Sequence, residues 1–296
     1  MELLLDVSRP SSDPKRSPLK DRTIPRWAAP ILTQLIEALP PVVTEKSMEG
    51  LLEASAADAR HTIRGLVRLG WLRGVGVRGA WAFLPPGIGD LQDPYLSLRG
   101  WQAVDTDAEF ALAGATVAWH LGYLRRRPAT VSIWLREKDA LPPGLRGKFH
   151  VVTTQFPATT PAKELSPTTV LLRKRKLDLT AWSSRLPAFG PEALLVQLAQ
   201  RPASIDWTEL AAELTTVTRD VDIERMKRLL SSSSNSAKQR AAYFFACSQQ
   251  VSEASNLLPD DRHPVKLGSD GPGHWDKTTQ VMDHLLASRA SAQDKA

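Results

Sequence analysis

Two hydrophobic periods meet at Gly70, and that junction constrains the fold of this 296-residue chain more than any other feature. From residue 56 to 69 the apolar side chains recur at helical spacing. On a 100° wheel Ala56, Ala59, Ile63, Leu66, Val67 and Gly70 fall within about 60° of one another, a face fit to pack on other helices. Gly70 suits the left-handed conformation that commonly ends a helix. Beyond it, Trp71-Leu72 and Ala80-Trp-Ala-Phe-Leu84 flank the loop Arg73-Gly-Val-Gly-Val-Arg-Gly79, and Pro85-Pro86-Gly87 stops the second run. Two short aliphatic and aromatic runs around a Gly-rich loop predict a β-hairpin. Upstream, Ile31, Leu32, Leu35, Ile36 and Leu39 predict a first helix that Pro40-Pro41 ends. Thr44 offers an N-cap to a short second helix bearing Met48, Leu51 and Leu52, and Ser55 offers one to the third. Three helices and then a hairpin is the order of a winged helix-turn-helix, here over residues 25–90.

The other face of the third helix gathers Ala57, His61, Arg64 and Arg68, with Arg60 at its edge. A helix fits the major groove of B-DNA, where the arginine fork matches guanine O6 and N7 or grips a phosphate. Early residues of a recognition helix reach base edges, so Arg60, His61 and Arg64 are readout candidates and Arg68 a phosphate contact. Arg73 and Arg78 flank the wing loop, whose glycines permit close approach to the DNA backbone. Double-stranded DNA is therefore the predicted partner. Exposed arginines on a single helix are usually only a solvated face. Their alignment on the third helix and the hairpin together favours DNA, and the alternative is a winged-helix interaction module docking an acidic protein.

Composition sets the frame. The length allows two domains, and 42% hydrophobic with 24% charged residues is globular usage. The net charge of +6 and pI near 9.5 make polyanions plausible partners. Between residues 55 and 81, five arginines face one acid, Asp58. A lone cysteine, Cys247, fits a reducing compartment. The opening Met-Glu-Leu-Leu-Leu-Asp-Val is too short for a signal peptide, and the apolar stretch 111–124 is too short to span a bilayer. The chain is read as cytoplasmic, without membrane association. Residues 1–24 have little to bury and read as a flexible basic arm, and Pro85 to Pro94 as a domain boundary.

The remainder, residues 95–296, reads as a larger mixed α/β domain, making the whole chain α+β. Helices are predicted at 96–104, 107–124, 191–200, 207–214, 221–230 and 237–249, and strands at 129–135, 148–155 and 168–174. Residues 231–236 form a Ser-rich interruption. The stretch 252–274 reads as loop apart from a strand at 265–267, and 277–288 as a terminal helix. Two further basic clusters, Arg125-Arg126-Arg127 and Arg173-Lys174-Arg175-Lys176, fit either a second DNA contact or plain surface, and an edge-blocking role for the latter if residues 171–179 are an edge strand.

Catalytic readings find little support. Gly114-Ala115-Thr116 followed by a strand superficially suggests a nucleotidyltransferase, but paired carboxylates are needed to hold Mg²⁺ and the next strand, Thr130-Val-Ser-Ile-Trp-Leu135, has none. Asp105 and Asp107 precede the glycine and read as a helix cap. Cys247, behind Phe244 and Phe245, reads as a buried structural thiol. His120 and His150 read as core or helix-end residues. His263 and His274, with Asp261, Asp270 and Asp276 nearby, lack tight metal-ligand spacing. No cofactor and no metal are predicted.

The stretch from Thr62 to Pro86, with Leu-Val-Arg-Leu-Gly70 leading into the Arg-Gly wing and an aromatic strand ending at Pro, resembles the N-terminal winged-helix domain of AbiEi-type antitoxins. Ala111-Leu-Ala-Gly-Ala-Thr-Val-Ala-Trp-His-Leu121 is similar to the small-residue helix opening that family's second domain, and Phe189-Gly-Pro-Glu-Ala-Leu-Leu-Val-Gln-Leu-Ala199 to its later helix. The resemblance implies a bacterial antitoxin that represses its own operon by binding promoter repeats, alongside a nucleotidyltransferase-like toxin. It also implies that the C-terminal domain supplies antitoxicity. The polar arm and the Ser-rich insert at 231–236 depart from the usual compact form.

Overall fold

The computed structural model describes residues 22–89, 91–137, 140–177, 186–269 and 273–286. The chain is α+β and divides into two compact units, Met1–Leu96 and Ser97–Ala296.

Unit 1 runs α1 (Ala29–Ala38), β1 (Val43–Thr44), α2 (Glu45–Leu52), α3 (Ala56–Arg68), β2 (Leu72–Gly74) and β3 (Ala80–Phe83). The strand β1 is too short to signal itself in sequence, yet it pairs antiparallel with β3, Val43 opposite Trp81. β2 completes a three-stranded sheet in the order β1-β3-β2, Leu72 opposite Phe83. Side chains alternate across the sheet with period two. Val43, Leu72 and Phe83 join Ile31, Leu32, Leu35, Met48, Ala59, Ile63, Leu66 and Trp71 in the main core. Val42, Val75, Ala80 and Ala82 form a smaller cluster. Val67, predicted for the core, is instead 40% exposed. The packed face of α3 is carried by Ala59, Ile63 and Leu66.

The helix ends explain the tight spacing. Thr44 and Ser47 cap α2 reciprocally, each side chain bonded to the other's backbone N–H. At the end of α3 the Trp71 N–H reaches Leu66 O at 2.9 Å and the Gly70 N–H reaches Val67 O at 3.0 Å. With Gly70 at φ 78°, this is the paired-bond helix termination in which the chain reverses onto its own last turn. It delivers Trp71 straight from α3 into the core.

Of the arm predicted over residues 1–24, residues 1–21 lie outside the described residues. Arg22 is held in unit 1: its guanidinium donates to Leu84 O and Ile88 O, both at 2.7 Å, and sits 5.3 Å from the Trp71 ring centroid.

Unit 2 begins within α4 (Leu96–Val104). It continues through β4 (Phe110–Leu112), α5 (Gly114–His120), β5 (Ser132–Leu135), β6 (His150–Val152) and α6 (Thr169–Lys174). The helices α7 (Pro191–Gln200), α8 (Trp207–Arg219), α9 (Ile223–Leu230), α10 (Asn235–Cys247) and α11 (Val251–Leu257) follow, and then β7 (Val265–Leu267), β8 (His274–Asp276) and β9 (Val281–Asp283). β4 pairs antiparallel with β5, and β5 pairs parallel with β6. β9 lies between β7 and β8. α7 is buried from Pro191 to Ala199, as a helix apolar on most sides must be. It has two buried polar residues, of which Glu192 keeps one carboxylate oxygen, Oε2, without a hydrogen bond among the described residues. Gln197 accepts from Gly114 N–H at 3.0 Å and donates to Ser204 at 2.9 Å. Glu192 accepts from Asp222 N–H at 3.0 Å and faces Arg225 at 3.8 Å.

Four sequence-based assignments change. The helix predicted over 107–124 is a strand, Phe110–Leu112, and a shorter helix; Phe110 stacks on Trp101 at 4.9 Å and the strand is buried on both faces, so its apolar run has no alternation to reveal it. The strand predicted over 168–174 is helix α6, with Thr168 accepting from Leu171 N–H as N-cap; the cap outweighs the β-branched composition. The stretch 252–274 contains helical residues up to Leu257. In the predicted 277–288 helix, residues 277–280 form a turn and Val281–Asp283 pairs with β7 and β8, while residues 287 and 288 lie outside the described residues. Cys247, predicted buried, is exposed at the end of α10.

Candidate nucleic-acid interface

The outer face of α3 is built from its N-cap onward. Ser55 Oγ accepts from Asp58 N–H at 3.3 Å and donates to the Asp58 carboxylate at 2.7 Å. That fixes the single acidic side chain of the helix at its positive end, where a carboxylate is favoured. From there the buried positions Ala59, Ile63 and Leu66 anchor one side, and Arg60, His61, Arg64 and Arg68 all stand exposed on the other. The packing that holds Ile63 in the core therefore directs Arg64 outward.

The individual side chains differ. Arg60 Nε donates to Ala56 O at 3.1 Å and lies 4.0 Å from the Glu45 carboxylate of α2, which draws it toward the edge of the face. Arg64 Nε donates to Arg60 O at 3.3 Å, a bond along its own helix made by Nε and not by the terminal nitrogens. Exposed ion pairs such as that of Arg60 contribute little and yield readily to a competing anion.

The hairpin carries the other two predicted residues. Arg73, on β2 opposite Ala82, and Arg78, in the β2–β3 loop, are both exposed. Gly76 at φ 87° and Gly79 at φ 84° adopt the left-handed conformation that lets the loop turn within five residues. Val75 and Ala80 close it, the Val75 N–H reaching Ala80 O at 3.4 Å. All six predicted residues thus lie on the surface of unit 1, four on α3 and two on the hairpin.

Sequence reasoning missed Trp27. Its indole is 48% exposed and covers Gly65 so closely that a Cβ there would sit 2.8 Å from the ring. A mid-helix glycine costs about 1 kcal/mol relative to alanine. Gly65 was the trace of a close neighbour, though not of which one.

The two basic clusters of unit 2 differ from each other. Arg175 donates to the buried Asp220 carboxylate at 2.5 Å and Lys174 reaches it at 3.4 Å. Tyr123 donates to the same carboxylate at 2.9 Å, and the Arg175 guanidinium stacks 4.8 Å from the Tyr123 ring. Arg125, Arg126 and Arg127 are exposed, with Arg127 stacked 5.7 Å from Trp119. His120 ends α5, and burial, followed by the Arg127 charge, holds its imidazole below the ordinary value. His263 contacts Ser236 at 3.2 Å through Nε2. Among the described residues no group of three or more His, Cys, Asp or Glu is placed to hold a metal ion, and no helix is long and apolar enough to cross a membrane.

Comparison with known proteins places these features in a lineage. The AbiEi antitoxin C-terminal domain matches residues 110–246. The crystal structure of the RV2827C protein from Mycobacterium tuberculosis superposes with a TM-score of 0.78 at 40% sequence identity, covering 93% of this chain and 97% of that one. No curated protein matches the sequence significantly.

Proposed function

The chain belongs to the AbiEi antitoxin family, and from that premise we propose that it is an antitoxin that represses its own operon by binding promoter DNA through unit 1. Its role is that of an antitoxin in a toxin–antitoxin system, acting as a non-catalytic regulator. Unit 1 serves as the winged helix-turn-helix, with α3 in the major groove and the β2–β3 hairpin as the wing. The observation that carries this reading is the exposed row His61, Arg64 and Arg68 opposite the buried Ala59, Ile63 and Leu66.

His61 and Arg64 read base edges, since they precede Arg68 along the helix and early residues of a recognition helix reach the bases, and Arg60 joins them when Glu45 releases it. Arg68, in the last turn, and Arg73 and Arg78 on the hairpin contact phosphates or the minor groove. The second protein of the operon is a nucleotidyltransferase-like toxin, whose neutralisation falls to unit 2. A reporter driven by the operon's own promoter tests the division. Wild-type protein represses it, and replacing His61, Arg64 and Arg68 together by alanine abolishes repression while still protecting cells from the toxin. Full repression by the triple variant contradicts the proposal, and an acidic protein captured by the same face in place of DNA establishes the interaction-module alternative.

A further inference from the structure

We propose that Trp27 is a DNA-contacting residue of unit 1, its indole Nε1–H donating to a backbone phosphate beside the groove that α3 enters. The inference rests on the reading of α3 as the recognition helix, and it adds an uncharged contact from outside α3 and the hairpin.

The position of the ring carries it. Trp27 is 48% exposed, yet its backbone is pinned: Pro25 O accepts from the N–H groups of Ala28 at 2.9 Å and Ala29 at 3.2 Å, and Ala28 is fully buried. The six-membered ring lies over Gly65, where an added Cβ would stand 2.8 Å from Cη2 and 3.2 Å from Cζ2. Residues three and four apart are neighbours on a helix surface, so the ring covers the position that adjoins His61 in one direction and Arg68 in the other. Both are exposed. The same segment reaches α3 again at its far end, with Arg22 Nε 3.8 Å from the Cβ position of Gly70. The indole is thus held on the flank of the basic row.

Its unused donor is a second observation. An indole has one donor, Nε1–H, and no acceptor. The buried indoles of Trp71, Trp101, Trp134 and Trp207 each donate it within the protein. Trp27 makes no such bond among the described residues, and since its six-membered ring makes the contact with α3, Nε1 is not the atom set against the helix. Cations gather phosphates to the surface they occupy, and about half to two-thirds of protein–DNA hydrogen bonds go to phosphate and sugar. A phosphate oxygen is therefore the acceptor that a donor in this place meets.

Fluorescence anisotropy of the full chain with its own promoter and with a random duplex tests the contact. Trp27→Phe keeps a ring over Gly65 and removes the donor, so affinity for both duplexes falls by roughly three- to tenfold, the yield of one hydrogen bond. The melting temperature holds, and the salt dependence is unchanged because an uncharged group releases no counterion. Gly65→Ala, at a mid-helix position that accepts alanine, pushes the indole aside; it weakens binding in the wild-type background and has no further effect in Trp27→Ala.

Trp27→Phe binding both duplexes as tightly as wild type overturns the proposal. So does a Gly65→Ala effect that persists in Trp27→Ala, or a loss of affinity that in both Trp27→Phe and Gly65→Ala follows a fallen melting temperature. Wild-type protein that binds no duplex defeats the DNA reading of unit 1 itself, whereas binding that is sensitive to Arg64→Ala and indifferent to Trp27→Phe defeats the role of Trp27 alone.

Discussion

Unit 1 and unit 2 both carry clusters of arginine, and the α3 arginines of unit 1 are used in the opposite way to Arg175 and Arg225 of unit 2. In unit 2 the cations of α6 and α9 are spent on carboxylates that fold the chain: Arg175 and Lys174 on Asp220, and Arg225 on Glu192. In unit 1 the arginines of α3 border, among the described residues, one carboxylate, Glu45, at 4.0 Å from Arg60, and the helix's own Asp58 is occupied by Ser55. A run of basic residues therefore says little by itself. What separates a structural cation from an available one is whether the fold brings a carboxylate to it from far along the chain, as Asp220 comes to Arg175.

Removing the meeting point in unit 2 breaks that contrast most severely. Asp220 is 4% exposed and binds Arg175, Lys174 and Tyr123, so Asp220→Ala leaves a partly buried charge unpaired and destabilises the protein by about 3–5 kcal/mol. Urea unfolding measures it, and a loss under 1 kcal/mol means that Arg175 is as dispensable as a surface residue. The opposite substitution belongs to unit 1. Arg64→Ala changes stability by no more than about 0.5 kcal/mol while costing about 1–3 kcal/mol of discrimination at a cognate base. Arg78→Ala lowers affinity for specific and random duplexes alike; equal losses from both variants on both duplexes remove the distinction between readout and backbone contact.

Gly70→Ala is next in size. At φ 78° an alanine is strained by about 1–2 kcal/mol, and the junction between α3 and the hairpin loosens; an unchanged melting temperature would refute the role assigned to the Gly70 turn. The smallest effect concerns His120. Its imidazole is held below the ordinary 6.5, first by burial and then by Arg127. The unfolded chain therefore takes up a proton at that position before the folded one does. The stability this neutral histidine contributes is complete above about pH 6.5 and is lost as pH falls toward its folded value. His120→Gln flattens the stability profile below pH 6.5, and an identical slope in both proteins rules the contribution out.

The two units were also unequally legible in sequence. The helices of unit 1 announced themselves through local devices: Thr44 and Ser55 as caps, Gly70 as a stop and an amphipathic α3. All six candidate residues were named from the wheel and the hairpin alone. What stayed hidden there depended on contacts far apart in sequence, namely the two-residue β1, the Trp27 ring over Gly65, and the exposure of Val67. In unit 2 the burial of β4 on both faces erased the alternation that marks a strand, and Val281–Asp283 is a strand only because β7 and β8 flank it. The short apolar runs there fit helix and strand equally well until neighbours decide.

The central claim, that the outer face of α3 and its hairpin hold DNA, is tested most directly by the salt dependence of binding. Fluorescence anisotropy of the full chain with its own promoter and with a random duplex, from low to physiological salt, should give selective binding whose affinity falls steeply with salt. The slope should become shallower by about one for each phosphate-contacting arginine removed. Affinity that ignores salt, or slopes unchanged when Arg68 and Arg78 become alanine, would contradict it.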